Sequence, residues 1–481
     1  MWRWQSLRDY VWPDIRATRD LYQDKIIISG LEWNVPGHEH CSTGIVAEDN
    51  AAISAFEYQF DASDEDYSRT ESEELDKQNG YTDFVQNATS VGSTFKGADE
   101  AHADSVAAVA WMQAQKDAGL IDDGYIVFAH IERRGGYDPT NGKYGYNVTH
   151  FRDYNNSGSE VAFGFEGAPG HQTSGDRGFG RSADGGGTFG GSGWYCAEVG
   201  GLWDALLGEG RNWWNFASSD YHAHWTVGGS DFWPGEYQKN YAYIDTDKHE
   251  RELAVVEGLR SGNSFHVMGD LIDELEFTAH GQGRTKAMMG QTMEVNAGKM
   301  VTIKIKAHDP VTPNYCPLDM NNPSLERAGI IQPLNMPVLD HIDLIAGVWT
   351  EKIDPEDDEY SNATNPSTEV VATFDRNGGV DKNGYLTYVY KFKAEAGENL
   401  YFRLRGTNVP AGVEWETDEF GNPLADSLAN DNLYAQMDAE ELEEKLFDGV
   451  EIATNSKLDE VAEAYADLWF YSNPIFIKVV D

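Results

Sequence analysis

Glu32, His130, Glu166 and the pair Asp220 and His222 stand at the ends of four different short apolar runs, the strongest chemical signal in the chain. The runs cover residues 25–31, 125–129, 161–165 and 214–218, and each reads as a buried strand. Carboxylates and neutral imidazoles are ordinary ligands of zinc, manganese and iron. In a parallel βα barrel, residues just past unrelated strands gather at one face, so four runs point to one metal-dependent site. His38 and His40 lie in the loop after Glu32. Like Asp220 and His222 they are two residues apart, a spacing that sends both side chains to one face of a strand.

Other candidates have an ordinary structural reading beside the functional one. Arg133 and Arg134 follow His130 and could grip a phosphate through paired hydrogen bonds, or form surface ion pairs. Glu166 and His171 flank the tight loop Gly167-Ala168-Pro169-Gly170 and read either as substrate contacts or as turn structure. His224, two residues beyond His222, reads as a support before it reads as a ligand or a substrate donor. His102 and His150 read as helix-face or polar-loop residues before they read as substrate contacts. Ten glycines in residues 176–201 read as a lid or a plain long loop. Trp203, Trp213, Trp214, Trp225 and Trp233 read as core packing before they read as a sugar or aromatic pocket.

The elements that would position these residues divide the 481-residue chain in two. Residues 1–285 alternate apolar runs with helical segments, at 101–118 and 247–260, and glycine-rich loops, as an α/β barrel would. Residues 286–481 change to strict alternation, as in 300–306 and 385–392, which predicts an antiparallel β-sandwich. Within it, residues 412–470 carry 17 Asp or Glu against two Lys, an acidic insertion with helical stretches at 440–447 and 458–468 before a last strand at 475–480.

Composition narrows the function. With 81 acidic and 36 basic residues the formal charge is −45, which argues against nucleic acid and against anionic membrane surfaces. No run of apolar residues is long enough to span a bilayer. Cys41, Cys196 and Cys316 are too few and too scattered for a disulfide framework or a structural zinc site. The phosphate-loop pattern and the serine nucleophile elbow are both missing.

At Gly30-Leu31-Glu32-Trp33 with Gly37-His38-Glu39-His40, at Phe128-Ala129-His130 and at Ser218-Ser219-Asp220-Tyr221-His222, the chain resembles the PHP (polymerase and histidinol phosphatase) family of metal-dependent phosphoesterases, especially its carbaryl-hydrolase-like branch. Weaker likeness extends to residues 258–265 and 472–475. The resemblance implies a distorted (β/α) barrel holding two or three Zn, Mn or Fe ions. Glu32, His130, Asp220, His222 and His38 or His40 would be ligands, and a metal-activated water would attack a phosphomonoester or phosphodiester. That branch also implies carboxylic or carbamate esters as a second substrate class. The alternative of another kind is a non-catalytic glycan- or surface-binding protein with a degenerate site. The family's opening His-x-His and Asp-His strands have no counterpart here. The expectation is a barrel incomplete at its N-terminus, with Met1 an internal start. On that reading a signal peptide upstream would make the protein periplasmic or secreted, and otherwise it is cytoplasmic.

Overall fold

The structure, a computed structural model, describes residues 3–48, 51–62, 98–132, 137–138, 144–173, 188–310, 312–376, 380–425 and 455–480. Arg133, Arg134, much of the glycine-rich stretch and most of the acidic insertion, with its helical stretch at 440–447, lie outside the described residues. The chain forms two compact units. One comprises Met1–Ile131, Gly136–Phe165 and Tyr243–Arg260; the other comprises Glu132–Gly135, Glu166–Ala242 and Ser261–Asp481.

In the first unit, β1 (Gly30–Asn34), β2 (His40–Val46), β3 (Asp123–Phe128) and the first half of β4 (Ala162–Ala168) lie side by side in that order. β1 pairs antiparallel with β2 and β2 antiparallel with β3; only β3 and β4 run parallel. This corrects two expectations. The first strand is not 25–31 but Gly30–Asn34, because a short turn joins it to β2 as a hairpin whose register sets Glu32 opposite Ser42. The all-parallel βα pattern does not form either, and no closed barrel is present among the described residues; the fold is mixed α/β with several sheets.

Helices Ala51–Phe60, Ala98–Asp117, Val148–Gly158 and Arg251–Arg260 belong to this unit, which opens with a helical segment over residues 3–21. The helix expected at 101–118 is the second of these, and the one at 247–260 begins at Arg251. Trp33 packs edge-on against Phe56 at 5.0 Å and donates its indole N–H to the Phe60 carbonyl at 2.8 Å. Phe128 stacks on Tyr154 at 4.3 Å, fixing the helix Val148–Gly158 to β3. Burial of these large rings is the main term holding the layers together.

In the second unit β5 (Trp214–Ala217) lies beside the C-terminal half of β4, and the Ser218 N–H bonds the Ala168 carbonyl at 2.9 Å. The other strands of this unit are β6 (Gln238–Ala242), β7 (Ser264–Met268), β8 (Glu274–His280), β9 (Lys286–Met288), β10 (Thr292–Asn296), β11 (Met300–His308), β12 (His341–Val348), β13 (Glu369–Asp375), β14 (Tyr385–Lys393), β15 (Leu400–Thr407), β16 (Trp469–Ser472) and β17 (Ile475–Val480). They build an eight-stranded sheet with the path β10-β17-β15-β16-β7-β6, joined by β12 and β13, and a four-stranded sheet ordered β14-β11-β8-β9. Rings cross between the sheets, Phe392 of β14 meeting Phe402 of β15 at 4.9 Å and Tyr388 of β14 stacking on Phe374 of β13 at 5.0 Å.

Two buried ion pairs anchor the larger sheet. Arg403 forks onto Asp204 at 2.8 and 2.6 Å, and Arg405 meets Asp343 at 3.0 Å. Trp203, Trp213, Trp214 and Trp225 are buried, as core packing requires, whereas Trp233 is half exposed. Cys41, Cys196 and Cys316 are buried thiols, and burial pushes those of Cys196 and Cys316 up to about 12, away from nucleophilic use. Among the described residues no helix is long and apolar enough to cross a membrane.

Candidate metal centre

The hairpin of β1 and β2 builds the first ligand group. Residues opposite one another across an antiparallel pair share a face, so Glu32 shares a face with Ser42 and, two residues earlier on β2, with His40. The result is a contact of 2.7 Å between Glu32 Oε1 and His40 Nδ1. β3 continues alongside, and the Ala129 N–H donates to the His40 carbonyl at 3.1 Å. A regular strand would put His130 on the face of Phe128, opposite to His40. Instead His130 takes φ = 29°, which ends the strand and brings its Nε2 to 3.8 Å from Glu32 Oε1. Its Nδ1 lies 3.9 Å from Glu39 Oε2.

Glu32, His40 and His130 thus offer one carboxylate oxygen and two imidazole nitrogens, all within 4.8 Å of one another. His130 and then His40 hold the Glu32 carboxyl well below the usual carboxylate range, against an opposing push from burial. An ionised carboxylate with two imidazoles is a donor set suited to zinc, manganese or iron. A residue with a β-carbon held at positive φ costs of order 1–3 kcal/mol, a strain that concentrates at working sites.

The second group lies in the other unit, on the loops after β4 and β5. His171 at φ = 58° and Asp220 at φ = 42° are held in the left-handed region, and His171 Nε2 meets Asp220 Oδ2 at 2.6 Å. Gly170 between β4 and His171 has φ = 92°, and a β-carbon there would come within 2.4 Å of the Ser219 carbonyl. Only glycine permits this close approach of the two loops. Asp231, buried, bonds His171 Nδ1 and accepts the backbone N–H groups of His222 and Ala223 at 2.5 and 2.8 Å. Burial works against a proton on His171, yet its two carboxylate partners outweigh that and raise its pKa. His222 donates Nδ1–H to the Asp220 carbonyl at 2.7 Å, which leaves the lone pair on Nε2, and its side chain is largely open to solvent. His171, Asp220 and His222 are therefore a second set with ligand atoms within 4.8 Å.

His38 and His40 part company. His38 belongs to a third group with His102 and His150, so the expectation that either could serve beside Glu32 resolves to His40 alone. Burial, reinforced by His102, pushes His38 down to about 3; burial, reinforced by His38 and His102, pushes His150 down to about 2. Glu166 is buried within β4 and belongs to none of the three groups. His224 accepts from the Thr226 N–H at the start of a short turn and bonds Glu236 Oε2 at 3.0 Å through Nε2. Its ring stacks on Trp233 at 5.1 Å.

Sequence reasoning missed Asp231, Glu39 and Glu132. Asp231 reaches His171 across 60 residues, a distance no local pattern encodes. Glu39 lies between His38 and His40, whose own spacing carries the stronger ligand signal. Glu132 accepts the Tyr195 N–H at 3.0 Å, and burial pushes its carboxyl up to about 8. Comparison with protein-family models, curated proteins and solved structures finds no match to this chain.

Proposed function

We propose that the chain is a divalent-metal-dependent hydrolase of the PHP type acting on a phosphomonoester or phosphodiester, with a distorted, open barrel and an appended β-sandwich. The observation that carries this reading is the convergence of Glu32, His40 and His130, three residues from the motifs that resemble the family. The ring contacts between the two sheets of the second unit support the sandwich. Glu32, His40 and His130 would hold one zinc, manganese or iron ion, and His171, Asp220 and His222 another. When bound, such an ion activates water and offsets charge on phosphoryl oxygens.

The chain's own residues do the positioning. Glu32 supplies the negative charge, and Glu39 stands on the far side of the His130 ring, where a carboxylate orients a ligating imidazole. Asp231 fixes His171 and the backbone of His222 at once, which sets the two faces of the loop site.

The test uses the full chain, stripped with a chelator and reloaded with Mn²⁺ or Zn²⁺, on p-nitrophenyl phosphate and bis-p-nitrophenyl phosphate. Metal-dependent phosphoester turnover is expected, with a loss of roughly 100-fold or more in Glu32→Gln, as several kcal/mol of lost charge stabilisation implies. Turnover of only a carboxylic or carbamate ester would move the substrate class. Metal uptake with no turnover of either would favour a binding protein, for which the exposed stack of Trp233 on Tyr221 at 4.8 Å offers a surface.

A further inference from the structure

The cluster of His38, His102 and His150 lies among the elements of the first unit and in no motif of the family resemblance except for His38 itself. His38 sits on the turn between β1 and β2, His102 on the helix Ala98–Asp117, and His150 on the helix Val148–Gly158. Their ring centroids are 4.4 to 5.1 Å apart. Tyr146 stacks on the His38 ring at 4.6 Å and walls the cluster on one side.

Proton bookkeeping shows what the cluster asks for. His38 Nδ1 lies 3.1 Å from the Gly145 carbonyl, and a carbonyl only accepts, so Nδ1 carries the hydrogen and Nε2 the lone pair. His102 Nε2 lies 3.1 Å from Asp153 Oδ2, so Nε2 carries the hydrogen and Nδ1 the lone pair. Those two lone-pair nitrogens face each other at 3.0 Å; the Tyr154 hydroxyl lies 3.3 Å from His102 Nδ1, but its hydrogen goes to Ser105 Oγ, because Ser105 donates its own to the His102 carbonyl. Two neutral imidazoles cannot bond lone pair to lone pair, so the gap calls for a positive centre. Two nitrogens on one tetrahedral zinc ion, each at about 2.0–2.1 Å, stand about 3.3 Å apart, close to the separation seen here. Ligating histidines also characteristically give their other N–H to a carboxylate or a backbone carbonyl, and both of these rings do so.

We propose that His38 Nε2 and His102 Nδ1, with His150 as the third ring of the group, form a binding site for a divalent transition-metal ion of the zinc class. Nitrogen donors select such ions over magnesium or calcium. His150 Nδ1 accepts the Asn147 N–H at 2.9 Å as part of its helix cap, so His38 and His102 are the primary ligands and His150 joins them by giving up that bond. Binding ties a turn to two helices, which makes the site a structural clip. This inference does not depend on the hydrolase reading, since none of its ligands belongs to the group of Glu32, His40 and His130.

The test counts zinc on the full, chelator-stripped chain after equilibration with Zn²⁺, by native mass spectrometry. The double variant His38→Ala, His102→Ala is expected to bind one zinc fewer than wild type, while Glu32→Gln keeps this ion. The ion also raises the thermal midpoint of Glu32→Gln and leaves that of the double variant without this increment. An equal zinc count in wild type and double variant overturns the proposal and leaves a shared proton in the gap. Asp153→Asn covers the case in which the double variant does not fold. It keeps both imidazoles but removes the carboxylate behind His102, and its zinc affinity at this site is expected to fall 10- to 100-fold. Unchanged affinity there overturns the assignment as well.

Discussion

His266→Phe should remove a block of acid sensitivity from the second unit. His266 lies on β7, fully buried, with its ring against Tyr471 at 5.4 Å. Burial pushes its pKa down from 6.5 to about 4, only partly offset by the Asn215 backbone. The unfolded chain therefore takes up a proton near pH 6.5 that the folded chain refuses until about pH 4. Stability from this group is fully present above pH 6.5 and is lost as pH falls through the window down to about 4. The slope is about 1.4 kcal/mol per pH unit, so wild type should lose about 2 kcal/mol by pH 5 that the phenylalanine variant does not lose. The assay is urea unfolding of both proteins at pH 8, 7, 6 and 5, read as the difference between their midpoints, which cancels the titration of the other groups. At a slope of about 2–3 kcal/mol per molar urea, that difference should move by about 0.7–1 M in favour of the variant between pH 8 and pH 5. Parallel pH profiles for the two proteins would refute the reasoning, because His266 would then accept its proton in the folded state as easily as in the unfolded one.

Three further outcomes follow from named contacts. Asp204→Ala strands Arg403 in the core beside the Tyr401 hydroxyl, and chemical denaturation should show a loss of about 3–5 kcal/mol. Gly170→Ala forces a β-carbon against the Ser219 carbonyl at positive φ; it should cost of order 1–3 kcal/mol and, on the proposed hydrolase reading, lower phosphoester turnover by displacing His171 from Asp220, both measured on the same preparation. His222→Ala should leave the thermal midpoint nearly unchanged, within about 0.5 kcal/mol, because its side chain is exposed, yet remove metal from the loop group when metal content is measured.

The placement of the candidate ligands relative to the strands was legible because its signals are local. His130 just beyond an apolar run, and Asp220 and His222 just beyond another, sit at strand ends as expected, and the helices at 98–117 and 251–260 follow their spacing. The partition of His38 from His40 was not legible. It depends on where the hairpin turns, and that is set by the pairing of Asn34 with His40. With His40 on β2 and His38 still in the turn, the two-residue spacing no longer means a shared face. The all-parallel, closed pattern does not form among the described residues for a related reason: apolar runs announce buried strands but not their direction, and β1 to β3 pair antiparallel through short-range and long-range contacts that periodicity does not carry. Asp231 and the His102 to Asp153 contact required the tertiary fold.

The most direct test of the central claim is an anomalous diffraction map from crystals of the full chain grown with Mn²⁺ or Zn²⁺, recorded at the absorption edge of the metal. A peak bounded by Glu32, His40 and His130, at about 2.0–2.2 Å from the carboxylate oxygen and the two imidazole nitrogens, is the predicted result. A map with ordered side chains at these three residues and no peak among them would contradict it.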